Sequence, residues 1–448
     1  MESSPHIHVG ILLGEALQFN LAGKFTVCSQ GQNIFGKCRA EIHNNAMRIY
    51  NGGDHLDFAE EAVFIPCNLS ADHVELTGVT IGIDFHWERK ETQRFQGGLK
   101  LLKTGDRIRV INIIPVEKYL HSVISSEMNA NSSLALLKAH AIISRSWVIA
   151  QVRGKRTPTG PSPDGKMDRK QSADEWIDWQ DREDHEQFHV CADDHCQRYQ
   201  GISRVQNEKV IRAVNETYGQ ILMYGEEICD ARYSKACGGV TEQFETCWEP
   251  VPHPYLVSVQ DSQDNGNGTR LGLNNEPAFR SFLADPPGAF CNTTDEKILS
   301  QVLNTYDLPT RDFYRWTVRY TNKELSDLIR RRSGMDMGAI RSLVPLERGA
   351  SGRIIRLEIT GTKKQLVVGK ELTIRRWLSE SHLFSAAFAV DVEGEGEIPE
   401  YFILSGAGWG HGVGLCQIGA AVMGEKGYTH EEILRHYYKD VKIVKTYS

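Results

Sequence analysis

A change in hydrophobic periodicity near residue 115 constrains the fold of this chain more than any other feature. Before it, short apolar segments are separated by Gly, Asn and Asp, and polar and apolar residues alternate from Arg107 to Val110, which is typical of strands. After it, apolar residues recur at helical spacing from Leu134 to Val152, with Ser132 or Ser133 as a suitable N-cap. The segments expected to form strands include residues 6–13, 62–66, 74–87 and 107–114.

The length of 448 residues exceeds what one small core needs and favours two or three domains. Residues 153–184 are rich in Gly, Pro, Ser and charge, so we expect an exposed loop or insertion there. A helix is expected at 323–332, among strands. The sequence predicts an α+β fold with a β-rich core, a central helix that carries the active-site segment and an inserted subdomain. The expected parts are an N-terminal β-rich region at 1–115, a core at 116–270 and 350–448, and the inserted subdomain at 271–349.

The charge and the absence of long apolar runs limit the classes of partner. A formal net charge of −7 and a pI near 6.2 argue against nucleic acid and against an anionic membrane surface, and fit an uncharged polymer such as a glycan better. No run of about eighteen apolar residues occurs, so no transmembrane helix is expected. The first residues lack the basic and apolar regions of a signal peptide, so either the protein is cytoplasmic or a leader has been removed.

Ten cysteines are spread along the chain and leave the redox compartment open. The pairs Cys28 with Cys38 and Cys237 with Cys247 each close a short loop and are candidate disulfides, although spacing alone does not establish the geometry.

A dense group of potential metal ligands occupies twelve residues and predicts a zinc site of structural or substrate-orienting function. Our preferred ligands are His185, Cys191 and Cys196, with His189 or His195 as alternates. The group contains no Cys-x-x-Cys pair, and the competing interpretation is a loop with buried thiols and exposed histidines.

A glycine-rich segment at residues 405–414 leads into an apolar, helix-like run. It lacks the Gly-Lys-Ser/Thr ending of a phosphate-binding loop and does not follow a βαβ pattern, so a nucleotide site is not expected. The glycines allow close backbone approach around Trp409 and His411, which suits a sugar ring stacked on an aromatic side chain. A tight turn packed beside the core is the alternative.

Glu127 is a candidate general acid because it lies between apolar residues, just before the helix that begins near Leu134. Burial there would raise the pKa of its carboxyl group and retain a proton at neutral pH, whereas most single glutamates are solvated surface residues. Lys138 and Arg145 are seven residues apart, so they share a helix face and could reach the same groove, or form only a solvated stripe.

Several of these stretches occur together in an order that resembles the SpoIID (stage II sporulation protein D) family. The matching segments are Val116-Glu117-Lys118-Tyr119-Leu120, Ser126-Glu127-Met128, the helix from Ala135 to Ala141 with Arg145, the stretch from His195 to Gly201, Cys237-Gly238-Gly239-Val240-Thr241-Glu242, Ser351-Gly352-Arg353, the segment from Gly408 to Ala420, and Ile433-Leu434 with His436-Tyr437-Tyr438. They cover most of residues 60 to 448. Three positions depart from the family pattern: His140 in place of Gln, Ala236 in place of Ser, and Cys416 in place of Ser.

The resemblance implies a peptidoglycan lytic transglycosylase that cuts the β-1,4 bond between N-acetylmuramic acid and N-acetylglucosamine in glycan strands stripped of peptides. It implies that Glu127 is the acid and base, since such an enzyme needs one carboxyl group where a hydrolase uses two. It also implies an extracytoplasmic location and a cell-wall amidase as a candidate partner. The substrate-binding residues expected on this basis are Lys138, Arg145, Trp409, His411 and Gln417.

Two other functions compete with this interpretation. One is a non-catalytic wall-binding module that stimulates an amidase, which the retained Glu127 argues against. The other is a zinc hydrolase, which would need a His-Glu-x-x-His element that the chain lacks. If the transglycosylase interpretation is right, the turn at Gly408 to Gly414 and Glu127 should form opposite walls of one groove, with His411 within about 15 Å of Glu127.

Overall fold

A computed structural model describes most of the chain. It covers residues 4–83, 88–129, 131–154, 169–172, 174–178, 185–193, 195–205, 207–263, 271–302 and 313–448. Much of the loop expected at 153–184, and the end of the strand segment expected at 74–87, lie outside these ranges. No helix in the described ranges is long and apolar enough to cross a membrane.

A sheet whose strands are antiparallel except for β13 (Val190–Cys191), which pairs in parallel with β1 (His6–Gly14), dominates the N-terminal part, and its alternating apolar side chains are buried in the main hydrophobic core. Among the described residues it contains eleven strands, in the order β13-β1-β10-β9-β6-β2-β3-β4-β5, with β7 paired to β2 and β8 paired to β7. The strands are β1 (His6–Gly14), β2 (Ala16–Val27), β3 (Asn33–His43), β4 (Ala46–Asn51), β5 (Asp54–Phe58), β6 (Glu61–Pro66), β7 (His73–Ile81), β8 (Arg89–Phe95), β9 (Gly98–Thr104), β10 (Arg107–Pro115) and β13 (Val190–Cys191). These bounds confirm the strands expected at residues 6–13, 62–66 and 107–114.

Three helices pack against one another, and the first of them contacts β10 of this sheet. They are α1 (Val116–Glu127), α2 (Leu134–Gly154) and α3 (Glu208–Glu216). The Oγ atom of Ser133 accepts a hydrogen bond from Leu136 N at 3.2 Å, which confirms Ser133 as the cap of α2. Helix α1 was not predicted, because its β-branched residues and serines have low helix propensity. Burial of most of its length against β10, α2 and α3 stabilises it instead.

A second hydrophobic core extends from Trp316 to Leu404. The helix expected at 323–332 is present as α7, whose capping box joins Thr321 and Glu324. The boundary expected at residue 349 falls between β18 and β19, two strands that pair with each other. The elements of this region are β11 (Arg169–Gln171), β12 (Glu175–Asp178), β17 (Arg315–Thr321), α7 (Asn322–Ser333), β18 (Ile340–Arg348), β19 (Ile354–Gly361), β20 (Gln365–Gly369), α8 (Glu371–Trp377), β21 (Phe388–Glu393) and β22 (Tyr401–Ala407).

Most of the remaining elements contribute apolar side chains to the main core. Strands β16 and β23 pair in parallel, β14 lies between β15 and β24, and helix α9 follows β23 directly. The architecture is therefore α+β and rich in strands, as expected. The bounds are a 3₁₀ helix (Gly201–Arg204), β14 (Gln220–Tyr224), β15 (Glu227–Ile228), β16 (Tyr233–Ser234), α4 (Phe244–Cys247), α5 (Glu276–Ala284), α6 (Glu296–Val302), β23 (Leu415–Cys416), α9 (Gln417–Glu425), α10 (His430–Tyr437) and β24 (Lys442–Lys445).

Candidate functional site

Glu127 is the last residue of α1, and its side chain is half-buried between the buried residues Ser126 and Met128. Its carboxylate has no hydrogen bond or ion pair with any residue that the structure describes. The chain leaves the helix at Met128 in an extended conformation. The carboxylate is therefore held at a fixed backbone position while its oxygens stay available to a ligand.

Helix α6 fixes the turn that follows Glu127. Gln301 accepts hydrogen bonds on its backbone oxygen from Asn129 N at 2.9 Å and from Ser132 Oγ at 2.9 Å. The next carbonyl, that of Val302, accepts a hydrogen bond from Lys235 Nζ at 2.7 Å. Lys235 is thereby brought to the same turn. This position was not predicted, although Lys235 precedes the Cys237-Gly238-Gly239 motif by two residues.

Arg145 does not face a groove, which corrects the expectation for this residue. Its side chain is fully buried, and its guanidinium donates to both carboxylate oxygens of Glu117 at 2.9 and 2.7 Å. Tyr447 Oη and Gly219 N also donate to Glu117. The pair joins α1, α2 and the C-terminal segment, so Arg145 has a structural role and offers no surface to a glycan.

Lys138 lies on a different part of α2 and pairs with Glu216 of α3, with 2.5 Å between Nζ and Oε2. Ion pairs from Lys138 and Arg212 lower the pKa of the Glu216 carboxyl group to about 2. Lys138 and Arg145 therefore do not share one exposed face. Lys138 forms an ion pair near the surface, and Arg145 forms a buried one.

Three separate family-like motifs meet in one buried network. Glu242 Oε2 accepts hydrogen bonds from Ser351 N at 3.0 Å and Ser351 Oγ at 2.6 Å. Arg353 donates to Ser351 Oγ at 2.8 Å and to Gly410 O at 3.0 Å. Gly412 has φ of +77°, and a Cβ atom there would overlap the Arg353 guanidinium. The glycines thus let the turn at 408–414 close over Arg353, and a phosphate-binding role is not needed to explain them.

Trp409 packs within the protein on two sides. Its ring stacks on Phe313 with centroids 4.7 Å apart and meets Phe384 edge to face at 4.9 Å. The Trp409 backbone exchanges two hydrogen bonds with Ala236, of 2.8 and 3.1 Å. These contacts fix the position of a half-buried ring beside Lys235.

His411 is held by the turn itself. Its Nδ1 atom accepts a hydrogen bond from Val413 N at 3.0 Å, and its ring meets Trp248 edge to face at 4.7 Å. Burial, together with the guanidinium groups of Arg232 and Arg353, holds the pKa of His411 well below its usual value. The imidazole is therefore neutral at physiological pH and acts as a hydrogen-bonding and packing group.

Gln417 is buried at the start of α9, with its amide nitrogen 3.1 Å from Nε2 of His140. Burial lowers the pKa of His140 to about 3, so its ring is neutral. The ring also packs edge to face on Tyr233 of β16, with centroids 4.5 Å apart. His140, which departs from the family pattern, thus keeps a polar contact between α2 and α9.

The predicted metal ligands converge. Single ligand atoms from His185, Cys191, His195 and Cys196 all lie within 4.8 Å of one another. Cys196 Sγ is 3.4 Å from His185 Nε2 and 3.5 Å from His195 Nδ1, and tetrahedral zinc with thiolate and imidazole ligands separates such atoms by about 3.6 Å. His189, an alternate ligand, is not in this group, and its Nδ1 accepts a hydrogen bond from His8 N at 3.1 Å. The residues present therefore fit zinc.

The turn that carries these ligands also braces α1. Strand β13 pairs Cys191 with Gly10 of β1, and the Tyr199 backbone nitrogen donates to Ala192 O at 3.0 Å. Gln197 in the same segment accepts a hydrogen bond from Tyr119 Oη of α1 at 3.1 Å. A metal at this turn would steady the helix that ends at Glu127, which favours a structural role.

Replacement of Cys196 by Ser is expected to lower the zinc content by one atom per chain, because it removes a thiolate that touches both candidate histidines. The measurement is elemental analysis of protein purified without chelator. Cys67→Ser is the control, since this exposed thiol lies outside the group. An unchanged zinc content in Cys196→Ser would exclude zinc from the His185 turn.

All ten cysteines are free thiols, including the two pairs considered as disulfides. Cys237 Sγ lies 3.6 Å from Cys291 Sγ, so its thiol neighbour belongs to a different segment from the one expected. The candidate disulfide between Cys237 and Cys247 is therefore not formed in the structure.

A cavity of about 1070 Å³ lies beside the second core. Its lining includes Gln243, Glu347, Arg348 and Lys370, and none of Glu127, Trp409 and His411. The cavity is thus separate from the candidate catalytic, substrate-binding and metal-binding residues.

Comparison with known proteins gives two family matches and several relatives. Residues 104–224 match the Stage II sporulation protein family, SpoIID, and residues 242–414 match a domain of unknown function, DUF8618. The chain is 26% identical to the Amidase enhancer of Bacillus subtilis (strain 168) over 71% of its own length and 39% of that protein. It is 25% and 22% identical to Stage II sporulation protein D of Bacillus amyloliquefaciens and of Bacillus subtilis (strain 168), in each case over 74% of both chains. The resemblance drawn from the motifs is confirmed by the match of residues 104–224 to the SpoIID family and by the similarity to these relatives.

Proposed function

We propose that this protein is a peptidoglycan lytic transglycosylase in which Glu127 acts first as general acid and then as general base. The substrate is the β-1,4 bond between N-acetylmuramic acid and N-acetylglucosamine in peptide-stripped strands. The proposed site lies outside the cytoplasm, where this polymer is found.

The observation that supports the proposal is that three glutamates in family-like motifs differ in their burial and in their hydrogen-bond partners. Glu117 is buried and paired with Arg145, and Glu242 is buried and held by Ser351 and backbone donors. Glu127 alone among these three has an unpartnered, half-buried carboxylate in the described structure. A group that transfers a proton to a substrate must have an oxygen within hydrogen-bond reach of it, so Glu127 is the suitable acid.

The chemistry needs one carboxyl group. Glu127 donates its proton to the glycosidic oxygen while the bond from that oxygen to C1 of the muramic acid breaks. The resulting carboxylate then removes the proton from the 6-hydroxyl of the same sugar, whose oxygen bonds to C1. The products are a free 4-hydroxyl on one fragment and a 1,6-anhydro end on the other, and Glu127 is protonated again.

Contacts within the described residues support a second wall formed by the turn at 408–414. Trp409 is bonded through its backbone to Ala236, whose neighbour Lys235 is bonded to Val302. The preceding carbonyl, that of Gln301, holds the turn after Glu127. On this proposal Trp409 offers its remaining ring surface to a sugar, and Lys235 offers a charge beside it.

Replacement of His411 by Ala is expected to lower the rate of anhydro-product formation by about tenfold to about a hundredfold. The loss of its contacts with Val413 and Trp248 would shift the turn and misplace the sugar without removing the proton donor. Initial rates on purified glycan strands measure the effect, with exposed His43→Ala as control. A loss equal to that of Glu127→Gln would contradict this positioning role.

A non-catalytic enhancer of an amidase is the competing function, favoured by the similarity to a protein named Amidase enhancer. The two functions are separated by incubating the purified protein with peptide-free strands and no amidase. A transglycosylase shortens the strands, whereas an enhancer leaves their length distribution unchanged and acts only when an amidase and stem peptides are present.

A further inference from the structure

Four potential metal ligands outside the proposed site meet in the interior. They are Cys237, Asp261, Cys291 and Cys416, and single ligand atoms from all four lie within 4.8 Å of one another. Each side chain is at most 2% exposed. The four residues come from four separate segments of the chain, so their convergence is a product of the fold and could not be seen in the sequence.

The spacing of the sulfur atoms suits a tetrahedral ion. Zinc–sulfur bonds of about 2.3 Å place the sulfur atoms of a tetrahedral site about 3.8 Å apart. Cys237 Sγ and Cys291 Sγ are 3.6 Å apart. A disulfide would need a sulfur–sulfur distance of about 2.05 Å. It would also leave the adjacent Cys416 and Asp261 without a function. The geometry therefore favours a shared cation over a covalent pair.

Hydrogen bonds around the group stabilise negative charge. Cys416 Sγ accepts from Cys237 N at 3.2 Å and from Gly419 N at 3.4 Å. The two oxygens of Asp261 accept from Tyr437 Oη at 2.7 Å and from Cys291 N at 2.9 Å. These hydrogen bonds hold the Cys416 sulfur and the Asp261 carboxyl group in fixed orientations within the group.

The residues packed against Asp261 include a histidine and a glycine. His436 Nε2 lies 3.9 Å from Asp261 Oδ1. Gly419 leaves the space that the Asp261 carboxylate occupies, since a Cβ atom there would overlap it.

We propose that Cys237, Asp261, Cys291 and Cys416 bind one zinc ion in a closed, structural site. Three thiolates and one carboxylate are ligands that zinc accepts in tetrahedral geometry. The ion connects the segment after β16 to the start of α9, and so fixes the backbone next to Lys235 and Gln417. This site is independent of the His185 turn and of the proposed activity.

The test separates the two metal sites by their ligands and by their accessibility. The double variant Cys191→Ser/Cys196→Ser is expected to retain one zinc per chain when purified without chelator. Addition of Cys291→Ser should remove that zinc, whereas addition of Cys229→Ser, another buried thiol outside the group, should not. A double variant that contains no zinc, or a triple variant with Cys291→Ser that keeps it, would overturn the proposal.

A measurement on the wild-type chain covers the case in which a variant does not fold. A chromogenic chelator should remove zinc from the more accessible His185 turn of the native protein, and should release the buried ion only when guanidinium unfolds the chain. Release of all zinc before unfolding would contradict a buried site. Intact-mass analysis showing a Cys237–Cys291 disulfide in metal-free protein would overturn the proposal in favour of the covalent pair.

Discussion

Glu127→Gln is expected to reduce the rate of anhydro-product formation by about a hundredfold to about ten-thousandfold, the range that a positioned general acid contributes. The amide keeps the shape of the side chain but has no proton of suitable acidity. Because the wild-type carboxylate has no protein partner in the described structure, the substitution breaks no hydrogen bond, and the fold should remain intact. Initial rates on purified glycan strands and the midpoint of thermal unfolding measure the two effects.

A matched control is Glu208→Gln, which makes the same chemical change at an exposed position of α3 in the same domain. It should leave the rate unchanged. Turnover by Glu127→Gln above about a tenth of the wild-type rate would exclude Glu127 as the acid, since this loss is far smaller than a general acid supplies. Equal binding of strands by both variants would locate the defect in the chemical step.

Arg145→Met is expected to lower the free energy of unfolding by about 3–5 kcal/mol, because it leaves the buried Glu117 carboxylate without its cation. Denaturant titration followed by fluorescence gives this value. Arg153→Ala, at the exposed end of the same helix, should change stability by less than about 0.5 kcal/mol. A stable Arg145→Met protein that had lost only glycan binding would support the groove-facing role instead.

The double variant Glu117→Leu/Arg145→Met is expected to recover part of the lost stability, since an apolar pair leaves no unpaired charge. Recovery should be incomplete. Tyr447 Oη and Gly219 N also donate to Glu117, and each buried donor left without an acceptor costs about 1–3 kcal/mol.

The strands and helix α2 could be predicted from the sequence because their apolar spacing is local and matches one period. The convergence of the candidate metal ligands at the His185 turn could also be predicted, since these residues lie within twelve positions and a short turn brings them together. Helix α1 could not, because tertiary burial stabilises a segment whose residues individually disfavour a helix.

The positions of the charged side chains were harder to predict. Every residue from Ala139 to Ile149 is buried, so α2 has no solvent face there, and the polar residue Arg145 gave a false indication of exposure. The glycines were expected to allow close backbone approach around Trp409 and His411. The turn also closes over Arg353, which joins residues from three motifs, and only the fold brings these motifs together. The residues around a side chain do not indicate which distant segment of the chain it will contact.

Digestion of peptide-free glycan strands in water enriched in heavy oxygen tests whether Glu127 directs intramolecular capture by the 6-hydroxyl. Mass spectrometry of the fragments identifies their new ends. We predict 1,6-anhydro ends that contain no heavy oxygen, because the sugar's own hydroxyl replaces water as the nucleophile. Reducing ends that carry heavy oxygen would show hydrolysis, and uncut strands would show a non-catalytic protein; either result would contradict the account.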